Sequence, residues 1–363
     1  MEQIKIKQND KEYPVFIGSS ILQSIEKFIE DNHKNKKIVI ITDDNIKKIC
    51  ENSVLKYLQS LDPYLISIPA GEASKSRAKK QEIEDILLER KYGRDTIIIA
   101  FGGGVIGDLA GFVASTFERG IPLIHVPTTL LSMVDSSIGG KTSINTEHGK
   151  NLIGTFHQPE AVFTDLNFLD TLSKEEFQNG MAEVIKIATT SDKDLFEFVE
   201  QNSEKVIERD KNTLLHIIKR SIDLKKDVVE KDEKESGLRQ ILNFGHTFGH
   251  AFENIMHYKK KHGFCISRGI AVEAKIAVLI GNLKEEKRII SLLERFNLPN
   301  KVEKDIDSDK IIEIMKIDKK TRDQKPRFVI LNEIGNVKQE NNTFSFEVDE
   351  DIIKNSIEQC KND

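Results

Sequence analysis

Two histidines four positions apart, His246 and His250, lie in the segment LNFGHTFGHAFE, and Glu253 ends it. On a helix this spacing places all three on one face. His262 follows twelve residues after His250, and Glu183 lies on another predicted helix upstream. Imidazole and carboxylate groups suit zinc and its neighbours, and such a set leaves one coordination position open for substrate. The pattern predicts a divalent metal site, but spacing does not decide whether His246, His250 or both are ligands.

A glycine-rich turn follows the apolar run 95–101 and opens an apolar helix. Gly102, Gly104 and Gly107 have the GxGxxG spacing, which lets backbone amides at a helix N-terminus approach a pyrophosphate. The ribose-binding acid expected about 20 residues later is absent, because that place reads VPTT. Asp43 or Asn45, at the end of an earlier apolar run, is the better ribose candidate. These features predict a dinucleotide site in an unusual order, with a plain strand-to-helix turn as the alternative.

Hydroxyl groups, glycines and lysines are concentrated between residues 127 and 151. The segment PTTLLSMVDSSIGGKT contains Lys141, and Lys150 and Asn151 follow shortly after it. This mixture suits the oxygens of phosphates and polyols, although a solvated loop would have the same composition. Near the metal motif, Arg239 could clamp a carboxylate or phosphate with two hydrogen bonds, unless it is only a surface charge.

The composition is that of a soluble globular protein: 363 residues, of which 38% are hydrophobic and 31% charged. A net charge of −5 argues against general nucleic-acid binding. Cys50, Cys265 and Cys360 are far apart and form no CxxC pair, as expected in a reducing cytoplasm. The first residues lack an apolar signal core, and no apolar run reaches the ~18 residues of a membrane span. We therefore expect a cytoplasmic protein.

The spacing of apolar residues changes near residue 170. Before it, residues 1–17 alternate as in a hairpin, and short apolar runs at 37–41, 64–68, 95–101 and 122–127 alternate with helical stretches. This order predicts a parallel sheet with polar loops at the strand carboxyl ends. Beyond it, predicted helices cover 174–190, 193–209, 211–231, 243–258, 265–283 and 284–296, and a small hairpin and a short helix end the chain. We expect an α/β domain over residues 1–170 and a mostly helical domain over 171–363.

Taken together, several motifs resemble those of the 3-dehydroquinate synthase family. They are GGGVIGD at 102–108, PTTLLSMVDSSIGGKTSIN at 127–145, GKNLIG at 149–154, GMAEVIK at 180–186 and LNFGHTFGHAFE at 242–253. The similarity extends from TDDN at 42–45 to DKKTRDQKPRFVIL at 318–331, which is nearly the whole chain.

The resemblance implies an NAD-binding α/β domain followed by a helical domain that binds a divalent metal, zinc or cobalt, with the active site between them. It implies that Glu183, His246 and His262 are the metal ligands, and that His250 lies near the substrate instead. The implied cofactor contacts are Asp43, Asn45, Glu72, Lys75, Gly104, Val105, Ile106, Gly107, Asp108, Thr128, Thr129, Lys141, Lys150, Phe168, Leu169, Asp170 and Thr171. The implied substrate contacts are Asp135, Lys141, Asn151, Lys186, Lys225, Arg239, Asn243, His250 and one of Lys319 and Lys320. Arg119 resembles the arginine that family dimers supply to the neighbouring active site.

The implied reaction converts 3-deoxy-D-arabino-heptulosonate 7-phosphate to 3-dehydroquinate and phosphate, a step of the shikimate pathway to chorismate and the aromatic amino acids. Transient oxidation by NAD+, loss of phosphate, return of the hydride and an intramolecular aldol reaction would follow one another. The alternatives are another sugar-phosphate cyclase (a 2-deoxy-scyllo-inosose or valiolone-type synthase), a metal-dependent dehydrogenase of the glycerol dehydrogenase type, and a non-catalytic binding protein. Arg239 with Leu242 and Asn243 matches the carboxylate-binding pattern of the dehydroquinate branch.

Overall fold

Buried apolar strands organise residues 1–173, the first of two units into which the chain divides. The computed structural model describes residues 1–8, 11–50, 55–281, 283–317 and 325–362. The strands of the first unit are β1 (Glu2–Gln8), β2 (Lys11–Gly18), β3 (Lys37–Asp43), β4 (Tyr64–Ile68), β5 (Thr96–Gly102), β6 (Leu123–Pro127), β7 (Lys141–Thr146), β8 (Gly149–Phe156) and β9 (Ala161–Asp165). Its helices are α1 (Gln23–Asn32), α2 (Asp44–Cys50), α3 (Arg77–Glu89) and α4 (Gly104–Thr116).

Within the described residues, seven strands form one sheet in the order β1-β2-β9-β6-β5-β3-β4. The pair β1 and β2 is the predicted antiparallel hairpin, and every other neighbouring pair is parallel. All seven residues of β5 are buried, as its unbroken apolar run predicts for a central parallel strand. The predicted α/β architecture is therefore confirmed, and the carboxyl ends of β3, β4, β5 and β6 meet at one edge of the sheet.

Two features of this unit were not predicted. The strand β9 is short, and it joins the hairpin strand β2 to β6. The strands β7 and β8 form a separate antiparallel hairpin in the region that reads as a hydroxyl-rich loop. Its residues Thr142, Ser143 and Ile144 are buried, so the hairpin packs as part of the unit although its composition is polar.

Helices make up most of the second unit, residues 174–363. They are α5 (Lys174–Ser191), α6 (Lys193–Gln201), α7 (Ser203–Ile207), α8 (Lys211–Lys231), α9 (His246–Ile255), α10 (His262–Leu279), α11 (Glu286–Arg295), α12 (Ser308–Ile317) and α13 (Glu350–Asn362). A small antiparallel pair, β10 (Leu331–Glu333) and β11 (Asn336–Val337), precedes α13. The helical character predicted for this half is confirmed. Among the described residues, none of the helices has the length and apolar character that a membrane span requires.

Candidate active site

Three side chains from three helices of the second unit converge on one point. Glu183 comes from the middle of α5, whereas His246 and His262 are the first residues of α9 and α10. The Nε2 atoms of His246 and His262 lie 3.7 and 3.5 Å from Oε1 of Glu183. Ligand atoms about 2.0–2.2 Å from a tetrahedral zinc ion lie about 3.3–3.6 Å apart, so these distances fit a shared divalent cation. One carboxylate and two imidazoles are also a donor set that zinc and cobalt accept.

Close packing of α9 against α10 brings the two histidines together. A Cβ atom on Gly269 of α10 would lie 2.0 Å from the carbonyl oxygen of Gly245, the residue before His246. Side chains at this crossing would therefore separate the helices and move His246 away from His262. The glycines around the histidine motif are required by this close approach of two backbones.

A second close approach holds the start of α10 on α5. A Cβ atom on Gly263 would lie 2.2 Å from the carbonyl oxygen of Asn179, and the Gly263 amide donates a hydrogen bond to Asn179 Oδ1 at 2.7 Å. Glu183 lies one helical turn after Asn179, on the same face of α5. The imidazole of His262 therefore lies beside the Glu183 carboxylate because the next residue, Gly263, has no side chain to hold α10 away from α5.

The second ring nitrogen of each histidine also has an acceptor. Nδ1 of His246 lies 3.2 Å from the Phe244 carbonyl oxygen, and Nδ1 of His262 lies 3.3 Å from Glu253 Oε1. A proton on Nδ1 leaves the lone pair of Nε2 directed at Glu183, which is the tautomer a metal ligand needs. Without a metal, burial acts to lower the pKa of His262, but the carboxylates of Glu253 and Glu183 outweigh it and raise the pKa to about 9.

His250 lies beside this trio but outside it. Its ring centroid is 5.5 Å from that of His246 and 6.4 Å from that of His262. In the described part of the chain, the candidate ligand group consists of Glu183, His246 and His262. The geometry thus favours His246 and His262 over His250 as candidate ligands, and it leaves His250 beside the candidate metal position, where a proton carrier could act.

The second unit buries several cations, and one of them, Lys186, contacts the trio. The Lys186 ammonium pairs with Glu183 Oε2 one turn along α5, and Lys225 on α8 is buried. Arg239 is only 2% exposed, and its Nη1 donates to the Glu233 carbonyl oxygen at 2.6 Å. The charged groups of Lys186 and Arg239 thus have oxygen partners within the protein.

A short loop after α8 positions Arg239 through Asp232. The Asp232 carboxylate accepts hydrogen bonds from the backbone amides of Ser236, Gly237 and Arg239 at 2.7–3.0 Å. Burial acts to raise the pKa of Asp232, but these amide donors lower it overall. The loop is therefore organised around a charged carboxylate that sequence reasoning did not select.

In the first unit, the predicted cofactor residues gather at the carboxyl edge of the sheet. Asp43 ends β3, Glu72 and Lys75 follow β4, Gly104 to Asp108 follow β5, and Thr128 and Thr129 follow β6. Ligands of open parallel sheets bind at such an edge. Asp43 Oδ1 accepts from the amides of Asn45 and Ile46 at 2.9 and 3.0 Å, so it caps the short helix α2.

Lys75 is the centre of a polar network at this edge. It is buried, and its ammonium contacts Oδ2 of Asp108 and Oδ1 of Asn151. Ser143 Oγ donates to Asn151 Oδ1 at 3.0 Å within the β7–β8 hairpin, and the contact of Lys75 with Asn151 ties this hairpin to the network. Burial raises the pKa of Asp108, and the charge of Lys75 acts against this rise. A predicted substrate contact, Asn151, thus lies among predicted cofactor contacts.

The hydroxyl-rich segment forms a tight turn beside the glycine motif. Residues Ser132–Ser136, which include Asp135, form one turn of π-helix, a rare conformation often found at functional sites. Thr128 Oγ1 is buried, and no described residue is its hydrogen-bond partner. A hydroxyl in this position is available to a bound molecule. The remaining predicted contacts lie in the hairpin strands (Lys141 and Lys150) and in the 3₁₀ turn Leu166–Thr171 (Phe168, Leu169, Asp170 and Thr171).

Arg119 is exposed, and it follows Glu118 in a chain turn where both residues have positive φ angles of 70° and 50°. Left-handed conformations at two consecutive non-glycine residues are strained, and such strain is concentrated at functional sites. The substrate lysine expected at Lys319 or Lys320 lies outside the described residues.

Sequence reasoning missed several residues that the structure adds. Ser143 joins the Lys75 network, and Glu235 accepts a hydrogen bond from the Asn243 amide. Glu253 was noted in the histidine motif but received no role, although its i+7 spacing from His246 placed it on the same helix face. Asp232 and Asn179 act through backbone amides, which no spacing of side chains could reveal.

Comparison with known proteins covers almost the whole chain. The family model described as 3-dehydroquinate synthase N-terminal matches residues 65–179, and the one described as 3-dehydroquinate synthase C-terminal matches residues 180–321. A 3-dehydroquinate synthase of Thermodesulfovibrio yellowstonii is 40% identical over 364 residues, which cover 99% of this chain and 100% of that protein.

Solved structures of related cyclases have the same fold. A 2-deoxy-scyllo-inosose synthase, complexed with carbaglucose-6-phosphate, NAD+ and Co2+, has a TM-score of 0.88 at 27% identity, covering 99% of this chain and 100% of that one. The 2-epi-5-epi-valiolone synthase of Streptomyces hygroscopicus, with NAD+ and Zn2+ bound, has a TM-score of 0.87 at 24% identity and 98% coverage of both chains, which shows the fold alone. With both halves matched and full-length relatives at about 40% identity, the chain belongs to the 3-dehydroquinate synthase family.

Proposed function

We propose that this chain is a 3-dehydroquinate synthase, which converts 3-deoxy-D-arabino-heptulosonate 7-phosphate to 3-dehydroquinate and phosphate. The observation that carries the proposal is the full-length similarity to relatives of that name, together with the trio Glu183, His246 and His262. The cofactors would be NAD+ and one divalent metal, since a cyclase of the same fold is complexed with NAD+ and Co2+.

Each cofactor has a set of residues that fits it. Glu183, His246 and His262 would hold the metal, which as a Lewis acid would polarise the hydroxyl group to be oxidised. The edge formed by the residues after β3, β4, β5 and β6 would hold NAD+, which would supply reversible hydride transfer without net oxidation. Residues 1–170 would thus form the nucleotide-binding domain and residues 171–363 the metal- and substrate-binding domain.

The substrate carries a carboxylate and a phosphate, and the buried cations suit both. Arg239 offers a planar guanidinium for a carboxylate or phosphate, and Asp232 fixes the loop that carries it. Lys186 and Lys225 add positive charge on the neighbouring helices α5 and α8. The side-chain amide of Asn243 suits substrate hydroxyl groups. In the structure, this amide donates a hydrogen bond to Glu235. Lys141, Asn151 and one of Lys319 and Lys320 complete the proposed substrate contacts.

Proton transfers need groups that can change charge near neutral pH. His250 lies next to the candidate metal position, and histidine is the side chain suited to this task. Asp135, in the π-helical turn, would take part in relaying the proton from the hydroxyl being oxidised. Elimination would then move a proton from the carbon next to the new ketone to the departing phosphate, which leaves from the following carbon.

The assay that tests the proposal follows phosphate release from the heptulosonate with catalytic NAD+ and a divalent metal. Glucose 6-phosphate and sedoheptulose 7-phosphate serve as alternative substrates, because the 27% identity with an inosose synthase makes another cyclase the second candidate. Release from the heptulosonate alone supports the proposal, and release only from an alternative sugar phosphate contradicts it. Accumulation of NADH without phosphate release would indicate a dehydrogenase of the glycerol dehydrogenase type.

We also propose a cytoplasmic homodimer in which Arg119 acts in the neighbouring active site. The support is the strained, exposed turn that presents Arg119 and the buried thiols of Cys265 and Cys360, neither of which forms a disulfide within the described residues. If Arg119 acts in the other subunit, mixing Arg119→Ala with His246→Ala subunits should restore activity that neither variant has. No restoration after subunit exchange, or a monomer by sedimentation, would contradict this arrangement.

A further inference from the structure

We propose that Glu253 is a positioning residue that holds the imidazole of His262 in the orientation and tautomer needed to bind the metal. The inference rests on the metal site of the proposed function. Three observations carry it: the contact between the two side chains, the burial of Glu253 and the arrangement of the two helices.

The contact uses the ring nitrogen that does not face the candidate metal position. His262 Nδ1 lies 3.3 Å from Glu253 Oε1, while His262 Nε2 lies 3.5 Å from Glu183 Oε1. The imidazole is thus held between two carboxylates, one on each side. A ligand histidine commonly donates its second N–H to a carboxylate, which fixes the ring and makes the bound nitrogen more basic.

Burial makes the contact hard to replace by water. Glu253 is 3% exposed, whereas the His262 side chain is 32% exposed. A buried carboxylate needs donors, and the His262 N–H is one of them. The partly exposed imidazole needs a fixed partner, because otherwise it could rotate toward solvent.

The helix geometry explains the spacing in the motif. Glu253 lies seven residues after His246, so both project from the same face of α9, about 10 Å apart along its axis. The start of α10 packs on this face. A single helix therefore supplies one ligand directly and orients the other ligand through Glu253. At His246, by contrast, the acceptor near Nδ1 is the neutral carbonyl oxygen of Phe244.

The test measures metal binding by the full-length protein. Metal-free protein is titrated with Co2+ in competition with a chromophoric chelator. We expect Glu253→Ala to weaken Co2+ binding about 10- to 100-fold, the usual effect of losing such a partner. Glu253→Gln keeps an acceptor oxygen without the charge and should lie between Glu253→Ala and the unchanged protein. The visible spectrum of bound Co2+ should change in Glu253→Ala, because the ring is no longer held.

The matched control is Glu176→Gln. Glu176 pairs with Lys261, the residue before His262, at 2.7 Å, so this variant removes the same charge nearby without touching the imidazole. Its Co2+ affinity and spectrum should stay unchanged. Equal weakening in Glu176→Gln and Glu253→Gln would overturn the inference, because general charge would then explain both.

Unchanged affinity and spectrum in Glu253→Ala would also overturn it. If Glu253→Ala fails to fold by circular dichroism, the comparison of Glu253→Gln with Glu176→Gln decides. Phosphate release separates this inference from the proposed function. A protein that binds Co2+ but does not act on the heptulosonate refutes the function and leaves the Glu253 comparison valid. A protein that acts on the heptulosonate without binding metal refutes the inference and the proposed metal site, but not the proposed reaction.

Discussion

The candidate metal trio and the Lys75 network are two polar clusters built in different ways. The trio consists of side chains on three helices, held by backbone contacts at Gly269 and Gly263 that leave no room for adjustment. The network consists of side chains on a turn, on the helix α4 and on the β7–β8 hairpin that bond chiefly to one another. The first arrangement is set before a ligand arrives, whereas the second must exchange partners if a cofactor is to bind Lys75 or Asp108. Rigid packing suits a small ion with strict geometry, and exchangeable hydrogen bonds suit a long flexible cofactor.

The largest effect is expected from Glu183→Gln, which removes the negative charge of the carboxylate that lies beside both histidines. Metal-assisted polarisation contributes several kcal/mol to such a reaction, so phosphate release should fall about a thousandfold or more. Metal content after gel filtration should fall in parallel. The control is Glu273→Gln, which changes another fully buried carboxylate of the same unit outside the ligand group. Full metal content in Glu183→Gln would show that the trio is not the metal site.

The next prediction tests whether helix packing determines the positions of the three candidate ligands. In Gly263→Ala, the new methyl group would overlap the Asn179 carbonyl at 2.2 Å, so α10 must move away from α5. We expect about 100-fold weaker metal binding and a loss of about 1–3 kcal/mol in the free energy of unfolding. Gly93→Ala is the control, since its Cβ atom would meet only Asp95 Oδ1 at 3.4 Å. Unchanged metal affinity in Gly263→Ala would mean that the backbone contact does not position His262.

The third prediction concerns the exchangeable network. Lys75→Met leaves Asp108 in a poorly hydrated place without its cation, and breaking such a pair costs about 3 kcal/mol of unfolding free energy. Adding Asp108→Asn should recover part of that loss, so the two substitutions should be non-additive by more than about 1 kcal/mol. Urea denaturation of the four proteins measures this. Strict additivity would show that the ion pair does not organise this edge.

The smallest effect concerns His125 on β6, which lies outside both clusters. Burial lowers its pKa to about 4, below the value of 6.5 in an unfolded chain. The unfolded state therefore binds a proton that the folded state excludes, and stability falls as the pH drops from 6.5 towards 4. At pH 5.5 the loss is about 1 kcal/mol, and His125→Gln should abolish this part of the pH dependence of urea denaturation. The exposed His216→Gln is the control. An unchanged pH dependence in His125→Gln would contradict the assignment.

The α/β and the helical architecture could both be predicted because the spacing of apolar residues within a single segment shows whether it is a buried strand or an amphipathic helix. The buried runs of β3 and β5 and the long amphipathic helices α5 and α8 are examples. The strands β7 and β9 were missed for opposite reasons. The segment KTSINT of β7 has too few apolar side chains to show alternation, and AVFTD of β9 is too short. The helix α12 lies outside the predicted stretches as well.

The site was predictable in its residue types but not in its contacts. Spacing placed His246, His250 and Glu253 on one face, yet the choice of His262 as the third member depends on how α10 packs. That packing depends on Gly263 and Gly269, which have no side chains. Glycines at contact positions do not produce a periodic hydrophobic pattern that could be recognised in the sequence. The part played by Glu253 likewise becomes visible only when its distance to His262 is known.

One further consequence follows from the fact that His246 and His262 each begin a helix. The amino-terminal ends of α9 and α10 carry partial positive charge, and each end disfavours a nearby cation by about 0.3–1 kcal/mol. The two helix ends would therefore leave part of the positive charge of a bound divalent ion uncompensated. The reference case is an ion held by the same three ligands at the carboxyl-terminal ends of helices. Compared with that ion, we expect this one to be lost to a chelator more readily. We also expect it to withdraw electrons more strongly from an oxygen atom bound to it.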